Sequence, residues 1–296
     1  FRSFDLASYD LVLVSTHAFS KAIRPVPRQV RVAYCYTPIR YLWGDLKEEY
    51  RATLPPIKRL ALDLMAPGLC RADLSAAKNM SAFIAISAEV QRRITRFYQR
   101  DSEVLAPPVF TDQWTPVDSP SRDYFLIVSR FVPYKRVDIA VAACARLGLK
   151  LKVVGTGPEE SRVRDAALVE GKPSPHVEFL GFVEEAALRE LYANATALLF
   201  TAHEDFGLAP LEANACGTPV IAYGAGGALE TVVDGETGLF FREQTVDSLT
   251  EALKRFEPAA FAPATLRAHA ETYATPLFTE RLLALLEAEL QRPHDP

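Results

Sequence analysis

The chain has 296 residues, 49% hydrophobic and 24% charged, a composition of globular type with length for two domains that each bury a core. No apolar run approaches the ~20 residues that span a bilayer, and the first residues lack the basic and apolar blocks of a signal peptide. Cys35, Cys70, Cys144 and Cys216 are scattered without C-x-x-C spacing, so neither a disulfide scaffold nor a zinc knuckle is expected, and a reducing, cytoplasmic setting fits them best.

The net charge of −4 conceals an asymmetry. Residues 1–100 carry 16 Lys and Arg against 8 Asp and Glu, whereas the remainder carries 17 against 29. A basic half suits anionic lipid headgroups or a phosphorylated acceptor, and two solvated surfaces of unlike composition account for the numbers equally well.

In chain order, the apolar runs Leu11–Val14, Val30–Tyr34 and Phe83–Ile86 predict buried parallel strands. Between Tyr41 and Asn79 the patterns are helical but broken at Pro55-Pro56 and Pro67-Gly68. Ser87 to Arg100 predicts a helix capped by Ser87, with Val90, Ile94 and Phe97 on one face and Arg92, Arg93, Arg96 and Arg100 on the other. That basic face is a candidate for peripheral docking on an anionic membrane. The proline-rich stretch Ala106–Pro116 predicts a linker between domains 1–108 and 109–296.

Beyond the linker, strands and helices alternate. Strands are predicted at 124–128, 151–154, 177–180, 197–200 and 219–222, with helices at 137–147, 159–168, 186–193 and 210–215 and a helical tail after Ala274. Such alternation implies an α/β fold with a doubly wound parallel sheet, whose ligands sit at the carboxyl ends of the strands.

The loops at those ends carry the chemistry. After the strand ending at Phe200 come Glu204 and Asp205, then Gly207, which permits close backbone approach, and Pro210 at a predicted helix start. Amides at such a start can hold an anion. Glu212 lies eight residues after Glu204, so one carboxylate can bond sugar hydroxyls while the other reaches a ribose. After the strand ending at Val128, Ser129-Arg130 and Lys135 form a loop whose two cations suit a leaving diphosphate. Gly155-Thr156-Gly157-Pro158 follows the next strand, and Glu160 in place of a third glycine argues against a nicotinamide site. No Asp-x-Asp occurs, so no metal ligand set is expected.

The string His203–Gly227 resembles the E-x7-E region of the family 4, or group 1, glycosyltransferases. The resemblance implies a GT-B fold of two Rossmann-like domains. It implies that Glu204 contacts the transferred sugar, Glu212 the ribose, and the amides of Phe206, Gly207 and Leu208 the sugar and diphosphate. Arg130 and Lys135 match the diphosphate-binding residues, Gly155 and Gly157 the G-x-G-P turn, and the segment through Phe182-Val183 the strand and loop that hold the base. In the first domain, Val32–Trp43 resembles bacterial mannosyltransferase-like members, with Tyr36 where those carry a His that contacts the donor sugar. Tyr still donates a hydrogen bond but offers no charge near neutral pH. His17 is a candidate on the acceptor side.

The family's opening strand and Gly-rich loop are missing, and Phe1 stands where an initiator Met would be, so a fragment with an incomplete first domain is expected. The implied activity is retaining, metal-independent transfer of a hexose, preferably mannose from GDP-mannose with a UDP-sugar next, to a glycan or lipid-linked acceptor in polysaccharide or lipopolysaccharide synthesis, peripheral to the inner face of the membrane. Neither a cofactor nor a nucleic-acid partner is expected. Two alternatives remain open: a truncated module that binds nucleotide sugar without turnover, and a nucleotide-sugar epimerase.

Overall fold

The computed structural model describes residues 4–44, 46–52 and 54–292 of the protein. It forms two compact units, Phe1–Pro107 with Phe278–Pro296, and Pro108–Leu277.

The first unit is built on a parallel sheet of β1 (Leu11–Thr16), β2 (Val30–Cys35), β3 (Ala82–Ala85) and β4 (Glu103–Val104), in that order. Between β2 and β3 run α1 (Leu46–Ala52) and α2 (Pro56–Lys78); α3 (Ala88–Tyr98) links β3 to β4. As expected, Ser87 caps α3, its Oγ accepting from the Val90 amide at 3.1 Å, and Val90 and Ile94 are buried. Tyr98, rather than Phe97, completes that buried face.

Two further sequence expectations fail here. Pro67-Gly68 does not break the helix, because α2 runs through Pro67. A proline forfeits one backbone bond, and apolar burial of Ala66, Ala76 and Ala77 along the inner face offsets it. Buried Asp73 accepts from Trp43 Nε1 at 2.8 Å and from the Tyr98 hydroxyl at 2.9 Å, and pairs with buried Lys21 at 2.5 Å. Removing one partner from such a pair is costly, so it anchors α2. Nor does Arg100 sit on the outer face of α3. The helix ends at Gln99, which is left-handed (φ 53°), and Arg100 donates to the carbonyls of Ala77, Met80 and Ser81 at 2.9–3.1 Å.

In the second unit β5 (Phe125–Val128), α4 (Val137–Leu147), β6 (Leu151–Val154) and α5 (Glu160–Asp165) follow one another. The predicted helix over 159–168 is cut short by a small hairpin of β7 (Leu168–Val169) and β8 (Lys172–Pro173), whose turn holds Glu170 and Gly171 at positive φ. Then come β9 (Val177–Gly181), α6 (Glu185–Asn194), β10 (Ala197–Phe200), α7 (Leu208–Ala215), β11 (Val220–Tyr223), α8 (Ala228–Thr231), β12 (Gly238–Phe241), α9 (Val246–Arg255) and α10 (Pro263–Glu271). The last helix, α11 (Thr275–Gln291), passes into the stretch grouped with the first unit.

Six of these strands form one parallel sheet in the order β12-β11-β10-β5-β6-β9. The chain starts at its middle, builds outward through β6 and β9, then crosses back to lay β10 against β5. That reversal is a topological switch point, and it opens a crevice above the carboxyl ends of β5 and β10. Residues such as Ile127, Ile139, Leu151, Leu199, Ile221 and Leu249 fill the core beneath it. The proline-rich stretch is not wholly free linker. Val109 bridges to Ala274, and Trp114 is buried with its ring edge-on to Tyr192 at 5.5 Å.

Candidate active site

Two loops flank the switch point. The first leaves β5 as Ser129-Arg130-Phe131, makes a 3-10 turn at Pro133–Lys135, and enters α4 through Arg136 at φ 49°. Buried Phe131 is its anchor. Its backbone lies on the Gly155-Thr156-Gly157 turn, where the Phe131 amide donates to the Thr156 carbonyl at 3.0 Å. A Cβ on Gly155 would fall 1.8 Å from the Ser129 carbonyl oxygen, and one on Gly157 2.3 Å from that of Phe131. Here the two glycines buttress the cationic loop, and neither lines the cleft at the switch point.

The second loop leaves β10 and carries Glu204 into α7. Gly207 (φ 95°) precedes the helix, which starts at Leu208, earlier than expected. Pro210 is the third helical residue rather than the first. It is tolerated because first-turn amides have no carbonyl partner within the helix. The loop is clamped from behind by Gly226-Gly227. The Gly227 amide donates to the Glu204 carbonyl at 2.9 Å, and a Cβ there would lie 2.2 Å from Phe206.

Across the crevice, the Lys135 ammonium forms an ion pair with Glu204 Oε1, both side chains largely shielded from solvent. Thr201 holds the two loops in register: its hydroxyl donates to the Lys135 carbonyl at 2.8 Å, and its own carbonyl accepts from Gln244 Nε2 at 2.8 Å. The cleft is lined by Ser129, Lys135, Thr201, Glu204, Gly207 and Leu208, among others. It combines a cation, a carboxylate and the amide end of a helix, a set able to take an anion and polar hydroxyls together.

Glu212 lies one turn into α7, half-buried, and accepts from the Tyr192 hydroxyl at 2.9 Å. Burial pushes the Glu212 carboxyl above its usual range, with the tyrosine bond opposing. Tyr192 itself is pushed well up, by its burial and then by the neighbouring carboxylate.

The structure therefore brings Ser129, Lys135, Glu204, Gly207 and Leu208 to one cleft. Arg130 is exposed and outside the cleft lining. Phe206 is buried, with its ring near Tyr273, so any contact with a ligand would be made by its backbone. Phe182 stands exposed just past the end of β9, next to half-buried Val183. In the first unit, exposed His17 and Tyr36 follow β1 and β2, and the Tyr36 hydroxyl accepts from Ser15 Oγ at 3.3 Å. Among the described residues no three His, Cys, Asp or Glu side chains group to hold a metal.

Sequence reasoning missed Thr201, Gln244 and Tyr192, which act on the site residues through hydrogen bonds and carry no motif. Gly226-Gly227 closes the string that carries the resemblance, and paired glycines beside an acidic loop are a signal of close backbone approach.

The crevice, the parallel sheets and their helices define the GT-B class. The likeness to solved structures is consistent: 20% identity and a TM-score of 0.72 with sucrose-phosphate synthase from Thermosynechococcus elongatus, over 95% of this chain and 73% of that one. HepE from Anabaena, solved in complex with UDP, gives 19% and 0.70 over 88% of this chain and 73% of that one. Residues 113–274 match the family model described as glycosyl transferases group 1, and the chain belongs to that family. It is 30% identical over 284 residues to D-inositol 3-phosphate glycosyltransferase of Actinosynnema mirum, covering 83% of this chain and 67% of that protein. Glycogen synthase of Pseudomonas aeruginosa is 32% identical over 159 residues, 52% of this chain. The chain spans about a third of the length of the glycogen synthases it matches.

Proposed function

We propose that this protein transfers a hexose, with retention of anomeric configuration, from a nucleotide diphosphate sugar to a hydroxyl of a glycan or lipid-linked acceptor. The observation that carries the reading is the Lys135–Glu204 pair at the switch point, beside the start of α7. In this reading Lys135 and the first amides of α7 neutralise the charge that grows on the departing diphosphate, with exposed Arg130 supplying further positive charge. Glu204 accepts from sugar hydroxyls and holds the anomeric carbon in place. Glu212 accepts from the ribose. Family membership supports a transferase, and the relatives' names support hexose transfer.

Two donors lead. The resemblance of Val32–Trp43 to mannosyltransferase-like proteins favours GDP-mannose, whereas the solved complexes of HepE with UDP and UDP-glucose favour the latter. Calorimetric titration with GDP, UDP, GDP-mannose and UDP-glucose, with and without EDTA, tests site and donor together. The expected result is chelator-insensitive binding of one base, lost in Lys135→Ala. Folded protein that binds none of the four would overturn the assignment. Inversion of the sugar without any acceptor would instead make the protein an epimerase.

A further inference from the structure

The peptide that joins Lys135 to Arg136 is not held by local preference. Arg136 sits at φ 49° and ψ 41°, the left-handed region that side chains with a Cβ disfavour. Two hydrogen bonds hold the peptide there, one at each end. Its N–H donates to the Pro133 carbonyl at 3.2 Å, within the turn itself. Its carbonyl, that of Lys135, accepts from the Thr201 hydroxyl at 2.8 Å. Thr201 is 2% exposed, so water competes little for that bond.

Thr201 is the first residue past β10 and lies three residues before Glu204. A hydroxyl at the end of one strand thus fixes the backbone from which the Lys135 side chain leaves, on the loop after its neighbour β5. Phe131 and Glu204, by contrast, are clamped main chain to main chain.

Gln244 fixes Thr201 in turn, its Nε2 donating to the Thr201 carbonyl at 2.8 Å. It comes from the connection between β12 and α9, and its half-buried side chain reaches past β11 to the end of β10. The next residue, Thr245, caps α9 by accepting from the Ser248 amide at 3.2 Å, which steadies the base from which Gln244 extends. Rotation of the Lys135–Arg136 peptide would swing the Lys135 side chain. A cation displaced from a developing charge loses most of its effect.

We propose that Thr201 and Gln244 are positioning residues of the transferase site, which pin the Lys135–Arg136 peptide and thereby aim the Lys135 ammonium at the donor diphosphate. The inference rests on the reading of Lys135 as the diphosphate's cation.

The test compares Thr201→Val, Thr201→Ser, Gln244→Met and Lys135→Ala with the parent. Calorimetry measures GDP and UDP, and ligand-detected NMR measures guanosine and uridine, which lack the diphosphate. Thr201→Val keeps the shape and removes the donor, and should weaken the nucleoside diphosphate about tenfold while leaving the nucleoside unchanged. Thr201→Ser restores the hydroxyl and should restore affinity. Gln244→Met, on a half-buried loop, should weaken the diphosphate in the same direction and carries the test if Thr201→Val does not fold. Loss of binding in Lys135→Ala, with parental affinity in Thr201→Val and Gln244→Met, would overturn the positioning role alone. Equal weakening of nucleoside and nucleoside diphosphate would overturn it too, since a general structural role does that. Parental affinity in Lys135→Ala would overturn the site reading, and this inference with it.

Discussion

The Tyr192 hydroxyl on α6 donates a 2.9 Å hydrogen bond to Glu212 Oε2 on α7, so a residue with no access to solvent sets the direction of a site carboxylate. The tyrosine ring is itself held by Trp114 from the stretch before β5. Replacing Tyr192 by Phe keeps the packing and removes the donor. Stability should fall by about 1 kcal/mol, measured by denaturant melts. Affinity for a nucleoside diphosphate should fall several-fold by calorimetry, while a dideoxynucleoside diphosphate, lacking the hydroxyls that Glu212 would accept from, should bind the two proteins alike.

Glu212 also makes a pH prediction. Burial raises its folded-state pKa, so the fold favours the protonated carboxyl. Its stabilising contribution is complete below the ordinary carboxylate range and is lost as pH rises through the raised value. Glu212→Gln mimics the neutral form at every pH, and its melting temperature relative to the parent should therefore climb from acid to neutral pH. Ribose hydroxyls donate best to the ionised carboxylate, so nucleotide binding in the acid part of that range should release protons. Calorimetric heats that are the same in buffers of different ionisation enthalpy would count against a ribose contact at Glu212.

The ion pair across the switch point predicts non-additive loss of turnover. Lys135→Ala and Glu204→Ala should each abolish most of it, because each removes one group and leaves its partner's charge unmatched in the cleft. The double variant should be little worse than either single one, since contacting residues couple. Initial rates with the donor identified by calorimetry measure this, and near-parental rates in both single variants would refute the assignment.

Gly155 and Gly171 offer a paired stability test. Both have positive φ, but a methyl group on Gly155 would strike the Ser129 carbonyl, whereas one on Gly171 would meet open space. Gly171→Ala should cost about 1–2 kcal/mol, the ordinary penalty for a left-handed residue. Gly155→Ala should cost about 3 kcal/mol or more, because the cationic loop must move, and nucleotide binding should weaken with it.

Much of this architecture was legible in local patterns. The strands at Leu151–Val154 and Ala197–Phe200 and the helix Val137–Leu147 have the bounds that the apolar spacing predicted, since short runs between turn residues leave little choice. Between Ala225 and Tyr273 no element was expected, yet α8, β12, α9 and α10 lie there. A signal was present: Thr245 caps α9 by accepting from the Ser248 amide, ahead of buried Leu249, Ala252 and Leu253. The turn-rich approach to Gly238 obscured it.

By itself the amino-acid sequence determined the α/β alternation, the two loops rich in charge and glycine, and the family, because helix starts, strand runs and motif strings are properties of neighbouring residues. Tertiary structure alone decided that β10 lies against β5, and hence that Lys135 meets Glu204. It decided that Gly155 supports Ser129, that Tyr192 aims Glu212, and that Thr201 bonds the Lys135 carbonyl. Each of these joins residues distant in the chain, and strand order and packing fix such relations where local periodicity carries no record of them.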